Sequence, residues 1–292
     1  MHPAPSVIAF TVLSGLGLGL LAFLGLGMIQ PTGLAAFLWF GLGYALTLIG
    51  LAASAFHLGR PERALKAFSQ WRTSWLSREA VLATAALLFM APHAAGLVFW
   101  GRPLTGFGAI GGVLCLQTVL ATAMIYTQLR SVPRWNHWTT PAVFLLAALT
   151  GGALLAGMAF LALILLPWLA VALACHWVLG DRQFAASGSD LGTATGLGAR
   201  GMVRQLEPPH TGQNYLLTEM VYVVARKHAL KLRVLALLLA CIVPSGILWI
   251  APFTVISTAA ATLAHLIGMA TARWLFFAEA EHVVGLYYGR RA

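Results

Sequence analysis

Long apolar runs, broken only by short polar pauses, set the pattern of this chain. No charged residue occurs between Arg134 and Asp181, nor between Arg233 and Arg273. A helix rising about 1.5 Å per residue needs about 20 residues to cross a hydrocarbon core of roughly 30 Å, so each stretch is too long for one crossing and suits a helical hairpin. Hydropathy and breakers together predict spans near 7–29, 34–56, 80–100, 104–128, 141–158, 162–180, 232–250 and 254–277. Gln30-Pro-Thr-Gly33 separates the first two and Gly101-Arg-Pro103 the third and fourth, whereas the apolar run scarcely pauses at Gly157. The expected fold is an all-α integral membrane protein, a bundle of about eight transmembrane helices forming one transmembrane domain over residues 1–292.

Polar positions then decide orientation. With eight spans the connections alternate between two faces. One face collects Arg60, Arg63, Lys66, Arg72 and Arg78, then Arg130 and Arg134, then the basic residues of the long 181–231 connection, and finally Arg290 and Arg291. The other has Arg102. The positive-inside rule makes the rich face cytoplasmic, with both termini on it. The first run has no basic segment before it, so it is expected to be a retained helix rather than a cleaved signal peptide. Within 181–231, Ser187 to Gly201 is rich in Gly, Ser and Thr and is expected to be irregular. Tyr215 to Lys231 has helical spacing and is expected to lie along the interface.

Composition agrees: 60% of residues are apolar and 9% charged, far from a water-solvated domain. The net charge of +10 is strung along helix ends, which favours anionic lipid or an acidic protein face over nucleic acid. Cys115, Cys175 and Cys241 are scattered in apolar runs without metal-ligand spacing, so neither an iron–sulfur cluster nor another metal site is expected in this chain. The glycines Gly15, Gly17, Gly19, Gly25 and Gly27 lie inside a predicted span and suit close helix packing rather than phosphate binding.

No acidic residue lies in the middle of a span, so a transmembrane proton path is not expected; Arg273 is the one strongly basic residue near the interior. Candidate chemistry gathers where the second span ends and the third begins. His57-Leu-Gly-Arg-Pro-Glu-Arg-Ala is followed by Trp71-Arg-Thr-Ser-Trp75-Leu-Ser-Arg-Glu79. A quinone site needs donors to two carbonyl oxygens, a group that exchanges protons and a slot for an apolar tail. Residue types there suit those needs: His57 and Glu79 for protons, Gly59 for close approach, Trp71 or Trp75 beside a ring. The competing reading makes Arg and Trp interfacial anchors, with Glu79 in a first helical turn paired to Arg63 or Arg78. A second cluster, Tyr126 to Trp138, either anchors or completes the pocket wall. His93, His176 and His265 lie in spans at unequal depths, which disfavours haem and favours interhelical hydrogen bonds.

In these segments, His57-Leu-Gly-Arg-Pro-Glu-Arg-Ala, Ser74-Trp-Leu-Ser-Arg-Glu79 and the Leu129-Arg-x-Val-Pro-x-Trp-Asn136 pattern, the chain resembles the membrane anchor subunits of dimethyl sulfoxide reductase-type molybdenum complexes. The resemblance implies a partner catalytic subunit with a molybdopterin centre, a partner iron–sulfur subunit, and a bound quinone, either ubiquinone or menaquinone. It implies His57 and Glu79 as the quinone-site pair, with Gly59 and Arg63 in the same functional stretch; Arg60, Trp71, Trp75, Arg78 and Tyr126 are added here on residue type. The opening Met1-His-Pro-Ala-x-Ser-Val-Ile and Asn214-Tyr-Leu-Leu-Thr-Glu-Met220 are most similar to anchors of cytoplasmic sulfite-oxidising complexes. The expectation is a quinone-binding anchor in a bacterial inner membrane, partners on its cytoplasmic face, passing electrons from sulfite to the quinone pool. A reductase fed by quinol, and a small-solute permease, remain the alternatives.

Overall fold

Three glycines make the first helix the hub of the structure. The computed structural model describes residues 2–56, 61–207, 216, 220 and 228–288. Eight long apolar helices are present among them: α1 (Pro5–Gly25), α2 (Gly33–Ala55), α3 (Trp75–Phe99), α4 (Thr105–Thr127), α5 (Thr139–Leu155), α6 (Ala159–Ala186), α7 (Ala229–Ile250) and α8 (Val255–Ala278). All except the 17-residue α5 are long and apolar enough to cross a membrane. A β-carbon on Gly17 would overlap Thr47 of α2, one on Gly19 would overlap Ala148 of α5, and one on Gly25 would overlap Gly108 of α4. Three partners therefore approach α1 to near backbone contact, the mechanism by which helices associate in lipid without a hydrophobic drive. α1 is accordingly the most buried span. Gly15 makes no such contact, and Gly27 serves the turn after α1 with φ +72° instead.

The short turns 26–32, 100–104, 156–158 and 251–254 lie at one end of the bundle, and the long connections lie at the other. The turn at Gly157 is made by a positive φ of 69°, a conformation that glycine adopts without steric cost. Two helices outrun their hydropathy. α3 begins at Trp75, five residues before the expected 80, because Ser77, Arg78 and Glu79 are polar yet helical. α6 continues to Ala186, past the expected 180, through Asp181 and Arg182. In the 187–201 segment, expected to be irregular, Asp190 and Thr193 form a capping box for the one-turn helix Leu191–Thr195. The stretch expected to lie along the interface, 215–231, falls mostly outside the described residues, which take in only 216, 220 and 228–231 of it.

α7 contains a π-helical segment, Leu238–Ile242, followed at once by Pro244. Proline lacks the N–H that would bond the carbonyl four residues back, and its ring crowds that carbonyl, which here is Ala240. His265 of α8 takes it up, with Nδ1 2.7 Å from the Ala240 oxygen. Gly268, where a β-carbon would collide with Ala240, lets α8 come that close.

Candidate functional site

Most of the buried positions on α3, Glu79, Ala83, Ala86, Met90, His93 and Leu97, follow a 3–4 alternation that is one helix face. Glu79 thus belongs to the inward stripe, while Arg78 is turned about 100° away from it. Glu79 is 5% exposed, and its Oε1 meets the Thr122 hydroxyl of α4 in a short hydrogen bond. Thr122 also lies 3.0 Å from the Thr118 carbonyl. One hydroxyl hydrogen cannot serve both acceptors. A proton on Glu79 would resolve this, with Glu79 donating to Thr122 and Thr122 donating to Thr118.

On its far side Thr122 lines an internal cavity of about 30 Å³ between α1, α4, α5 and α8, room for about one water. Thr11 and Ser14 of α1, His265 and Arg273 of α8, and the apolar Val119, Phe144 and Met269 also line it. Arg273 is 3% exposed, its Nε has no hydrogen-bond partner, and among the described residues no carboxylate forms an ion pair with it. Its guanidinium lies 3.5 Å from the centre of the Phe144 ring. Tyr126 is packed among Trp135, Phe276, Phe277 and Phe144 at ring-centre distances of 5.3 to 5.8 Å. Glu79, Thr122, Phe144 and Arg273 all sit four or five residues inside the loop-rich ends of their helices, hence at one depth.

The other candidates separate from this group. Arg78 donates to the carbonyls of Trp71 and Arg72 at 3.1 and 2.7 Å and lies 4.4 Å from the Trp75 ring centre, so it fastens the loop before α3 and does not pair with Glu79. Trp71 and Arg63 are exposed. Glu79 is also not in the first turn of α3, which holds no acidic residue. His57, Gly59 and Arg60 lie outside the described residues. In the 126–138 cluster the roles divide: Trp135 is buried, stacks on Phe276 and donates to its carbonyl at 2.9 Å, while Trp138 is exposed.

Closer to the surface, four charges from separate elements close on one another. Arg134 lies 2.5 Å from Asp181 and 3.5 Å from Glu279; Arg233 reaches both carboxylates at 2.7 Å. Gly180 leaves the space that the Arg134 side chain fills. Burial pushes the Glu279 carboxyl up, against the opposing pull of Arg134 and Arg233. Beside this network a chain of contacts runs inward from His137 Nδ1 to Thr139 Oγ1 and on to His176 Nδ1, each step 3.0 Å. His93 lies between the carbonyls of Leu104 and Leu24, at 3.1 and 3.3 Å. Each of the three histidines within spans thus has protein hydrogen-bond partners. No group of three metal-ligating side chains occurs among the described residues.

Thr122 and Arg273 are the site residues that sequence reasoning left out. Arg273 did carry a signal, as a lone base in an apolar run; Thr122 carried none.

A family model described as "DMSO reductase anchor subunit (DmsC)" matches residues 1–278. A sulfite dehydrogenase subunit of Allochromatium vinosum is similar over 327 residues at 31% identity, covering 99% of this chain and 99% of that one. No solved structure matches.

Proposed function

This chain belongs to the DMSO reductase anchor subunit family, and from that membership we propose that it is the quinone-reactive membrane subunit of a sulfite-oxidising molybdenum and iron–sulfur complex. The name of the relative in Allochromatium vinosum supports sulfite as the electron source. The whole chain is read as one transmembrane domain in a bacterial inner membrane. Its basic, loop-rich end is cytoplasmic and carries the iron–sulfur and molybdopterin subunits. Membership of an anchor family also weighs against the permease reading. Flow in the opposite direction, from quinol to a reductase, is the second reading, and the family's description favours it.

One observation carries the proposal: a buried carboxyl, Glu79, is joined by a single hydroxyl, Thr122, to a cavity that holds Arg273, which has no ionic partner among the described residues. The lining fits a quinone head group, with Arg273 as donor to a ring oxygen and Val119, Phe144 and Met269 for the ring faces. The cavity, about 30 Å³, has room for about one water, so side chains must move to admit a ring. When bound, the quinone supplies a two-electron, two-proton acceptor that balances sulfite plus water going to sulfate, two electrons and two protons. Glu79 holds a proton at Oε1 beside Thr122; His57 is the second group proposed to exchange protons with the cytoplasm. Arg63, Trp71, Trp75 and Arg78 border the surface at the head of α3, where a partner protein would sit.

Glu79→Gln and His57→Ala are expected to lower quinone-coupled turnover of the intact complex at least about 100-fold while leaving dye-coupled sulfite oxidation unchanged. Equal loss in both assays, or retention of both, would count against the assignment.

A further inference from the structure

Two features of the bundle carry that reading further. One is the guanidinium of Arg273, buried without a counter-ion among the described residues. The other is a groove of about 720 Å³ on the outer surface of the bundle, between α1, the start of α7 and α8. We propose that this groove is the lateral entrance for the quinone and the seat of its hydrocarbon chain, and that Arg273 donates to a ring oxygen at the groove's inner end. The proposal deepens the quinone reading and rests on it.

The groove is walled by apolar side chains, among them Ile8 and Val12 of α1, Leu232 of α7, and Leu266, Ala270 and Trp274 of α8. Thr271, its one hydroxyl, already donates to the Ile267 carbonyl at 3.0 Å. Apart from the Trp274 indole N–H, no side chain in it offers a donor to a polar head group, whereas an isoprenoid chain needs only apolar contact. Val12 and Leu266 line both this groove and the cavity that holds Arg273, so two side chains separate the spaces. Met269, with an unbranched and adaptable side chain, lines the cavity on the same helix. A phospholipid in the groove would keep its phosphate at the membrane surface and leave Arg273 as it is, so the occupant has to carry a polar ring at the end of its chain.

The inner end explains why an arginine stands there. A buried cation without a partner is costly, and an apolar side chain of similar volume would pack there without that cost. What an arginine adds is a set of rigid donors. Directed at a carbonyl oxygen, they bind more strongly as that oxygen gains electron density, in a site from which bulk water is excluded. Phe144, 3.5 Å from the guanidinium, holds it in place without using its donors.

The test uses the intact complex. A photoreactive azidoquinone with a full-length chain is expected to label peptides containing Val12 and Leu266 to Trp274, and excess unlabelled quinone should suppress the labelling. Ala270→Trp is expected to raise KM for a long-chain quinone about 10-fold and to change KM for a chain-free quinone less than about 2-fold. Arg273→Leu should raise KM for both about 10-fold, and Arg273→Lys should recover part of that. Labelling elsewhere, or unchanged KM for both quinones in Ala270→Trp, would overturn the groove; unchanged KM in Arg273→Leu would overturn the donor. If either result came while Glu79→Gln still lost quinone-coupled turnover, the groove and donor would fail and the quinone reading would stand. If Glu79→Gln kept its turnover, the quinone reading itself would fail.

Discussion

Two sets of charges occupy the loop-rich end of the bundle and are treated in opposite ways. Arg134, Arg233, Asp181 and Glu279 form a closed network in which each charge touches at least one of opposite sign. Arg273 lies six residues before Glu279 on the same chain segment, about 9 Å deeper by helical rise, and has no ionic partner among the described residues. Glu79, at the same depth, is held by a hydroxyl rather than by a cation. The shallow charges are compensated within the protein, so their burial needs no ligand to account for it. The deep ones are left open, and side chains left open in a membrane interior are where substrate and proton chemistry is to be sought.

That contrast predicts different costs for removing a charge. Arg233→Met would leave Asp181 and Glu279 with only Arg134 between them; Glu279 is buried but Asp181 is about half exposed, so the loss is that of charged hydrogen bonds, about 1.5–3 kcal/mol. The apparent melting temperature of the purified complex should fall by on the order of 5 °C. Arg273→Met strands no partner and should change that temperature by less than about 2 °C while still lowering quinone affinity. If Arg273→Met were the more destabilising variant, Arg273 would be a structural residue and the distinction between the two sets would be lost.

A smaller effect is expected one step from the carboxyl. Thr122→Val keeps the shape of the side chain but removes the hydroxyl that holds Glu79. Losing a hydrogen bond to a charged or proton-sharing group is worth about 1.5–3 kcal/mol, so quinone-coupled kcat should fall about 10-fold or more, with dye-coupled turnover intact. Thr122→Ser should restore most of it. A positioning role also predicts that the pH profile of quinone-coupled turnover shifts in Thr122→Val, which a packing defect alone would not do.

Why Glu79 was visible in the sequence and its surroundings were not follows from helix phase. The apolar runs reveal eight helices because a lipid-facing helix is apolar nearly all round, but that same uniformity hides which face points inward. Hydropathy also ends a helix where polarity begins. α3 and α6, however, continue through Arg78, Glu79, Asp181 and Arg182, since backbone hydrogen bonding does not stop at the membrane surface. Adjacent residues 78 and 79 look like one charged pair on paper and lie on different faces in space. Spacing could have shown this, because Glu79 is in register with Ala83, Ala86, Met90 and His93. Thr122 and the cavity depend on how four helices meet, which no local pattern records.

The smallest effect concerns the edge of the paired network. His137, in the connection between α4 and α5, bonds Thr139, which in turn bonds the buried His176. Burial holds the His137 imidazole below its ordinary value of about 6.5. The unfolded chain therefore takes up this proton at a higher pH than the folded one, and stability falls as pH drops through about 6.5. His137 is only partly buried, so solvent screening keeps the effect small, about 1–2 °C in apparent melting temperature between pH 7.5 and 5.5. His137→Asn removes the titrating ring, and the melting temperature should then depend less on pH over that interval. A steeper dependence in the variant would mean that the ring is protonated in the folded state. In that case His137 would join the cationic side of the network, and the boundary between compensated and open charges would have to be redrawn at the His137–Thr139–His176 chain.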